Sequence, residues 1–152
     1  MRRALPVVLG LLGLCCGLAH GQPLVTAQEL QASLQAPEPL ALKANPAPDA
    51  PRIELLRPSL NSASSAALSS PTAIELRFQA APGSQIRPDT FRVLYGRLRL
   101  DITARLLSAT RISAAGLHVR EAQLPAGQHR LLLSIEDNQG RQGQAQIEFE
   151  IR

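Results

Sequence analysis

From Arg52 onward the chain alternates apolar and polar residues with a period of two, and this pattern constrains the fold more than any other feature. The carboxy-terminal stretch shows it best, with Ala145, Ile147, Phe149 and Ile151 set against Gln144, Gln146, Glu148 and Glu150. Successive side chains of a strand point to opposite faces, so each such run has one oily face and one wet face. Ile53 and Leu55, then Ile74, Leu76 and Phe78, then Phe91, Val93 and Tyr95 repeat the pattern. Gly96 allows a tight reversal into Leu98, Leu100 and Ile102, alternating with Arg97, Arg99 and Asp101. Ile112, Leu117 and Val119 mark weaker strands, and Leu131, Leu133 and Ile135 a strong one. Pro82-Gly83, Pro125-Ala126-Gly127 and the polar loop Asp137 to Gly143 punctuate these runs, and a Ser/Ala-rich loop fills Asn61 to Ser70. A single sheet would leave half of these apolar side chains wet, so a second layer must cover them. The expected fold is all-β, an antiparallel β-sandwich of about seven strands over residues 52–152. Aromatic residues make up 3% of the chain and Trp is absent, so Leu, Ile, Val and Ala must fill that core.

The alternation does not extend to the amino-terminal third. Over 22–51, Pro23, Pro37, Pro39, Pro46, Pro48 and Pro51 interrupt an Ala- and Gln-rich stretch. Proline lacks an N–H and fixes φ, so this segment reads as a flexible linker. Within it, Thr26 followed by Glu29 is a capping box, and Val25 with Leu30 has the spacing of a hydrophobic staple. The spacing predicts a short helix over about 27–34, with Val25, Leu30 and Leu34 as a docking segment for a partner.

Residues 1–21 read as a signal peptide. Arg2 and Arg3 precede an apolar run from Ala4 to Leu18, and Ala19-His20-Gly21 offers small residues for cleavage before Gln22, or after Ala19. The twin arginines lack the flanking pattern of a twin-arginine signal, so general secretion to the periplasm or beyond is expected. Both cysteines, Cys15 and Cys16, lie in this segment, and neither follows the small residue that lipidation favours. The processed chain would fold without disulfides and without a thiol nucleophile. It would keep 14 basic and 12 acidic residues, too nearly balanced for a nucleic-acid binder.

Residues 70–78 (SPTAIELRF), 86–96 (IRPDTFRVLYG), 100–103 (LDIT) and 124–140 (LPAGQHRLLLSIEDNQG) resemble bacterial immunoglobulin-like domains of exported and surface proteins. The resemblance implies an immunoglobulin-like sandwich and supplies no catalytic residues. Such modules serve as spacers, adhesins, enzyme appendages and assembly parts, and they often come in tandem, whereas this chain has room for one.

Candidate chemistry is sparse. His118 and His129 have no His, Cys or carboxylate partner at ligand spacing, and the one methionine, Met1, lies in the segment to be removed, which argues against a copper carrier. Glu136-Asp137-Asn138 reads as a turn rather than a Ca²⁺ site, because no second acidic cluster is near. The serines from Ser59 to Ser70 lack a nucleophile elbow. No cofactor, metal or catalytic residue is expected. Charge offers one asymmetry: seven arginines stand against two aspartates between Pro82 and Arg120. Arg92, Arg97, Arg99 and Arg105 form a candidate patch for an anionic partner, with Arg97 and Arg99 sharing the outward face of one strand. The expected role is a non-enzymatic, structural or interaction module of the cell envelope, meeting an envelope protein or an anionic glycan or lipid. The alternatives are a periplasmic chaperone that lends a strand edge, and a carrier of a small ligand.

Overall fold

A computed structural model describes residues 22–40, 47–59 and 68–152. The expected signal peptide with its cysteines, and most of the Ser/Ala-rich loop, lie outside the described residues. Eight strands and two helices are described: α1 (Ala27–Gln35), β1 (Arg52–Arg57), β2 (Thr72–Gln79), β3 (Ile86–Tyr95), β4 (Leu100–Asp101), α2 (Thr103–Ala109), β5 (Ile112–Ser113), β6 (Gly116–Ala122), β7 (Gly127–Asp137) and β8 (Gln142–Ile151). They form two four-stranded antiparallel sheets, ordered β1-β2-β6-β5 and β4-β3-β7-β8. In immunoglobulin lettering these are A-B-E-D and C′-C-F-G.

The alternating residues meet between the sheets. Ile74, Leu76 and Phe78 of β2 and Leu117 and Val119 of β6 face Phe91, Val93 and Tyr95 of β3, Leu131, Leu133 and Ile135 of β7, and Ile147 and Phe149 of β8. Phe78 and Phe91 touch across the layers with ring centroids 5.4 Å apart. Burying each such side chain stabilises the fold by about 1.5–3 kcal/mol. The longest ladder, β7 against β8, runs in unbroken register from Gly127↔Ile151 to Glu136↔Gln142.

Two segments depart from the sequence expectation. The run Leu98-Leu100-Ile102 is no strand: residues 96–99 turn, β4 is two residues long, and α2 follows at once. Asp101 Oδ1 accepts the Thr103 N–H at 2.9 Å, and Thr103 Oγ1 accepts the Val93 N–H at 2.9 Å. Ile102 and Leu106, four apart, are both buried. That helical pair outweighs a period-two signal only three positions long.

The second departure is the supposed free linker. Leu24, Val25 and Leu30 are buried to 6, 0 and 3% exposure and belong to the domain's own core. The capping box is present: the Glu29 N–H donates to Thr26 Oγ1 at 3.2 Å and the Thr26 N–H to Glu29 Oε2 at 2.9 Å. Just before it, the Leu24 N–H donates to Gln123 O at 3.1 Å. The helix turns Leu30 and Ser33 toward the sandwich and leaves Leu34 41% exposed, so of the docking segment Val25 and Leu30 enter the chain's own core and Leu34 does not.

Candidate functional site

The chain's densest polar chemistry lies where the end of β3 and the start of β7 meet α1. The approach is close because of glycine. A Cβ on Gly96, whose φ is +65°, would sit 2.0 Å from Ser33 Oγ, and one on Gly127 would sit 2.9 Å from Leu30 Cδ2. With Gly96 bare, Ser33 Oγ accepts the Arg97 N–H at 2.9 Å.

Arginines then close over the segment. Arg97 Nη1 donates to Leu34 O and Ala36 O, both at 3.1 Å, satisfying carbonyls at the helix end that have no partner in the helix. Its Nε lies 3.1 Å from Glu38 Oε2. Arg105 grips Glu29 with both prongs, Nη1 to Oε2 at 2.8 Å and Nη2 to Oε1 at 2.7 Å. Such planar two-bond contact is the strong form of an arginine–carboxylate pair. It holds the Glu29 carboxyl down at about 2, against the opposing effect of burial and with further help from Thr26. Arg130 joins Glu38 to Glu148, and its hydrogen bond keeps the Glu38 carboxyl below its ordinary value. Arg99 Nη2 reaches Leu40 O at 3.4 Å.

The candidate anion patch and the candidate docking segment therefore meet each other. Arg97 and Arg99 do not share the outward face of one strand; with Arg105 they hold the segment that carries Val25, Leu30 and Leu34. Arg92 stands apart, exposed, with Nη1 donating to Phe91 O at 2.9 Å. Arg130, outside the candidate patch, completes the clasp; it stands opposite Glu148 in the β7–β8 register, a pairing that no local sequence pattern marks.

The remaining candidates are satisfied internally. His129 is buried, with Nε2 2.8 Å from Pro125 O and Nδ1 2.9 Å from Tyr95 Oη. A carbonyl only accepts, so Nε2 carries the proton and Nδ1 accepts from the tyrosine. Burial lowers the His129 pKa, and burial followed by the charge of Glu29 raises Tyr95 to about 12. His118 is exposed on β6, opposite Glu75. Asp137, fully buried, accepts the N–H groups of Gln139 and Arg141 at 2.9 and 3.0 Å and pairs with the Arg141 guanidinium at 2.8 Å. Burial pushes its carboxyl up, but these bonds prevail and hold it below the ordinary value. Asn138 Oδ1 accepts the Gln85 N–H. Among the described residues, no three His, Cys, Asp or Glu side chains converge as metal ligands.

No protein-family model matches the chain, and no curated protein does. Among solved structures it is similar to CopC from Methylosinus trichosporium OB3b, with 14% identity over 55% of this chain and 78% of that one and a TM-score of 0.37. A likeness this slight supports no inference about ligands.

Proposed function

We propose that this chain is an exported, non-catalytic module of the bacterial immunoglobulin-like kind, with a structural or interaction role in the cell envelope. One observation carries the reading: the side chains a catalyst would hold ready are spent on the chain's own architecture. Asp137 serves its own loop, both ring nitrogens of His129 are occupied, and Glu29 is held by Arg105. A space between the sheets, lined by Leu24, Val93, Leu106 and other apolar side chains, measures about 10 Å³. That is about the volume one water probe needs, far below a ligand pocket. Export is supported by the charged, apolar and small-residue sequence of residues 2–21. Among the described residues, no helix is long and apolar enough to cross a membrane.

Two measurements test the reading. Intact mass of the protein recovered from an envelope fraction should place its first residue at Gln22 or close to it. Recovery from the cytoplasm with Met1 retained would overturn export. Thermal melts with Cu²⁺, Zn²⁺ or Ca²⁺ should match the melt without metal. A ligand at a hundredfold excess over its Kd would add about 2.7 kcal/mol, an unmistakable rise in Tm that would favour the carrier instead.

A further inference from the structure

The large apolar side chains most exposed among the described residues are Leu34, Leu40, Leu98 and Leu100, at 41, 91, 57 and 37%. All four belong to one region. Leu98, in the turn after β3, and Leu100, the first residue of β4, flank Arg99, and the guanidiniums of Arg99 and Arg97 reach the carbonyls of Leu40 and Leu34. The turn is sharply built: Gly96 has φ +65°, and Arg99, at φ +52°, is the one non-glycine left-handed residue among those described. L side chains rarely adopt that conformation, and such outliers persist where the surroundings enforce them.

The charges around these leucines are mixed but lean positive. Arg97 and Arg130 are answered by Glu38 and Glu148. Arg92 and Arg99 make no close ion pair among the described residues; Asp101 turns its carboxylate to the Thr103 N–H, and the more distant charge of Arg92 helps to hold that carboxyl below its ordinary value. We infer that this leucine and arginine surface docks on an anionic lipid bilayer. Leu98 and Leu100 stand at the turn, Leu34 and Leu40 on the segment clasped beside it, and the guanidiniums of Arg97 and Arg99 lie between them. A protein partner would need a matching pocket for each, and leucine is under-represented among the residues that anchor protein interfaces. A bilayer needs no pocket: leucines enter the acyl boundary while arginines stay among the phosphates. Leu34 and Leu40 come from the amino-terminal segment, so the surface is complete only when that segment is clasped. The inference rests on the export reading, which brings the protein to envelope membranes.

Sedimentation of the processed protein with vesicles tests it. Vesicles of phosphatidylglycerol and phosphatidylethanolamine should carry the protein down about tenfold more strongly than pure phosphatidylcholine, with weaker binding in high salt. Leu98→Ser with Leu100→Ser should lower partitioning about tenfold, since both lose apolar burial. Arg99→Gly should lower it about threefold while leaving the melt unchanged or raised, because glycine suits a left-handed turn. Three results would each overturn the inference: no binding to anionic vesicles, equal binding by the leucine variant, or capture by poly-glutamate in place of vesicles. The last would point to an acidic protein partner. Lost vesicle binding in a correctly exported protein removes this inference alone; cytoplasmic recovery removes the export reading whatever the vesicles show.

Discussion

The two ends of the sandwich are secured by opposite means. At one end, β7 turns into β8 around Asp137, whose partners Gln139 and Arg141 lie two and four residues away. At the other, α1 is held by pairs far apart in sequence: Glu29 with Arg105, Leu34 with Arg97, and Glu38 with Arg130. The hairpin end buries its charge completely, with Asp137 at 0% exposure. The clasp keeps its charges near water and gains its hold from apolar residues beneath, Leu24, Val25 and Leu30. The contrast separates two kinds of electrostatic work. A buried charge is costly to strand, so its pair acts on the whole fold. Exposed pairs are individually weak, so they orient a segment that burial retains.

The largest effect should come from breaking the local lock. Asp137→Ala leaves the partly exposed Arg141 guanidinium only its longer contact to Asp49, at 3.7 Å, empties a buried site whose backbone N–H groups lose their acceptor, and should cost about 3 kcal/mol in denaturant unfolding. A loss below about 1 kcal/mol would mean that the turn alone secures this end. Next comes the apolar floor of the clasp. Leu30→Ala should destabilise the docked segment by about 2–3 kcal/mol, read as faster hydrogen exchange at the Leu30 and Ala36 amides. If those amides keep their protection, α1 is retained by the arginines instead. Gly96→Ala should cost about 1–2 kcal/mol from its left-handed backbone, and more from collision with Ser33. Exchange should rise around α1 and not in β7–β8; a uniform rise would show that the clasp and sandwich open together.

The smallest effect concerns charge and acid. Glu29→Gln should cost about 0.5–1 kcal/mol at neutral pH, since the pair is partly exposed. In the wild-type protein the folded Glu29 carboxyl is depressed from 4.5 to about 2. Its contribution is therefore full above 4.5 and is lost as pH falls toward 2, because the unfolded chain binds the proton first. His129 is also depressed, from 6.5, so it too favours the fold above that value and less as pH drops below it. Exchange around α1 should thus respond to acid sooner than the Asp137 loop, whose carboxyl is depressed from 3.8. Glu29→Gln should flatten the lower part of that profile.

The strands with long alternation were legible in the sequence: β2, β3, β7 and β8 lie where the period-two runs lie. The start of α1 was legible too, because a capping box is a contact between residues three apart. Helix α2 was not, since Leu98, Leu100 and Ile102 satisfy a strand pattern until Thr103 bonds the Val93 N–H. Nor was the fate of Arg97 and Arg99. Parity placed them together on a strand, whereas the left-handed residues Gly96 and Arg99 fold that stretch into a turn.

By itself the sequence determined which side chains must be hidden and where the chain must turn, because periodicity, capping and turn chemistry act over a few residues. Only the tertiary structure decided what covers Val25 and Leu30, and what Arg97 and Arg105 bind. Those contacts join residues 63 and 76 positions apart in their hydrogen bonds. No local pattern records such pairings, which exist once two sheets have closed and left a seat for the segment.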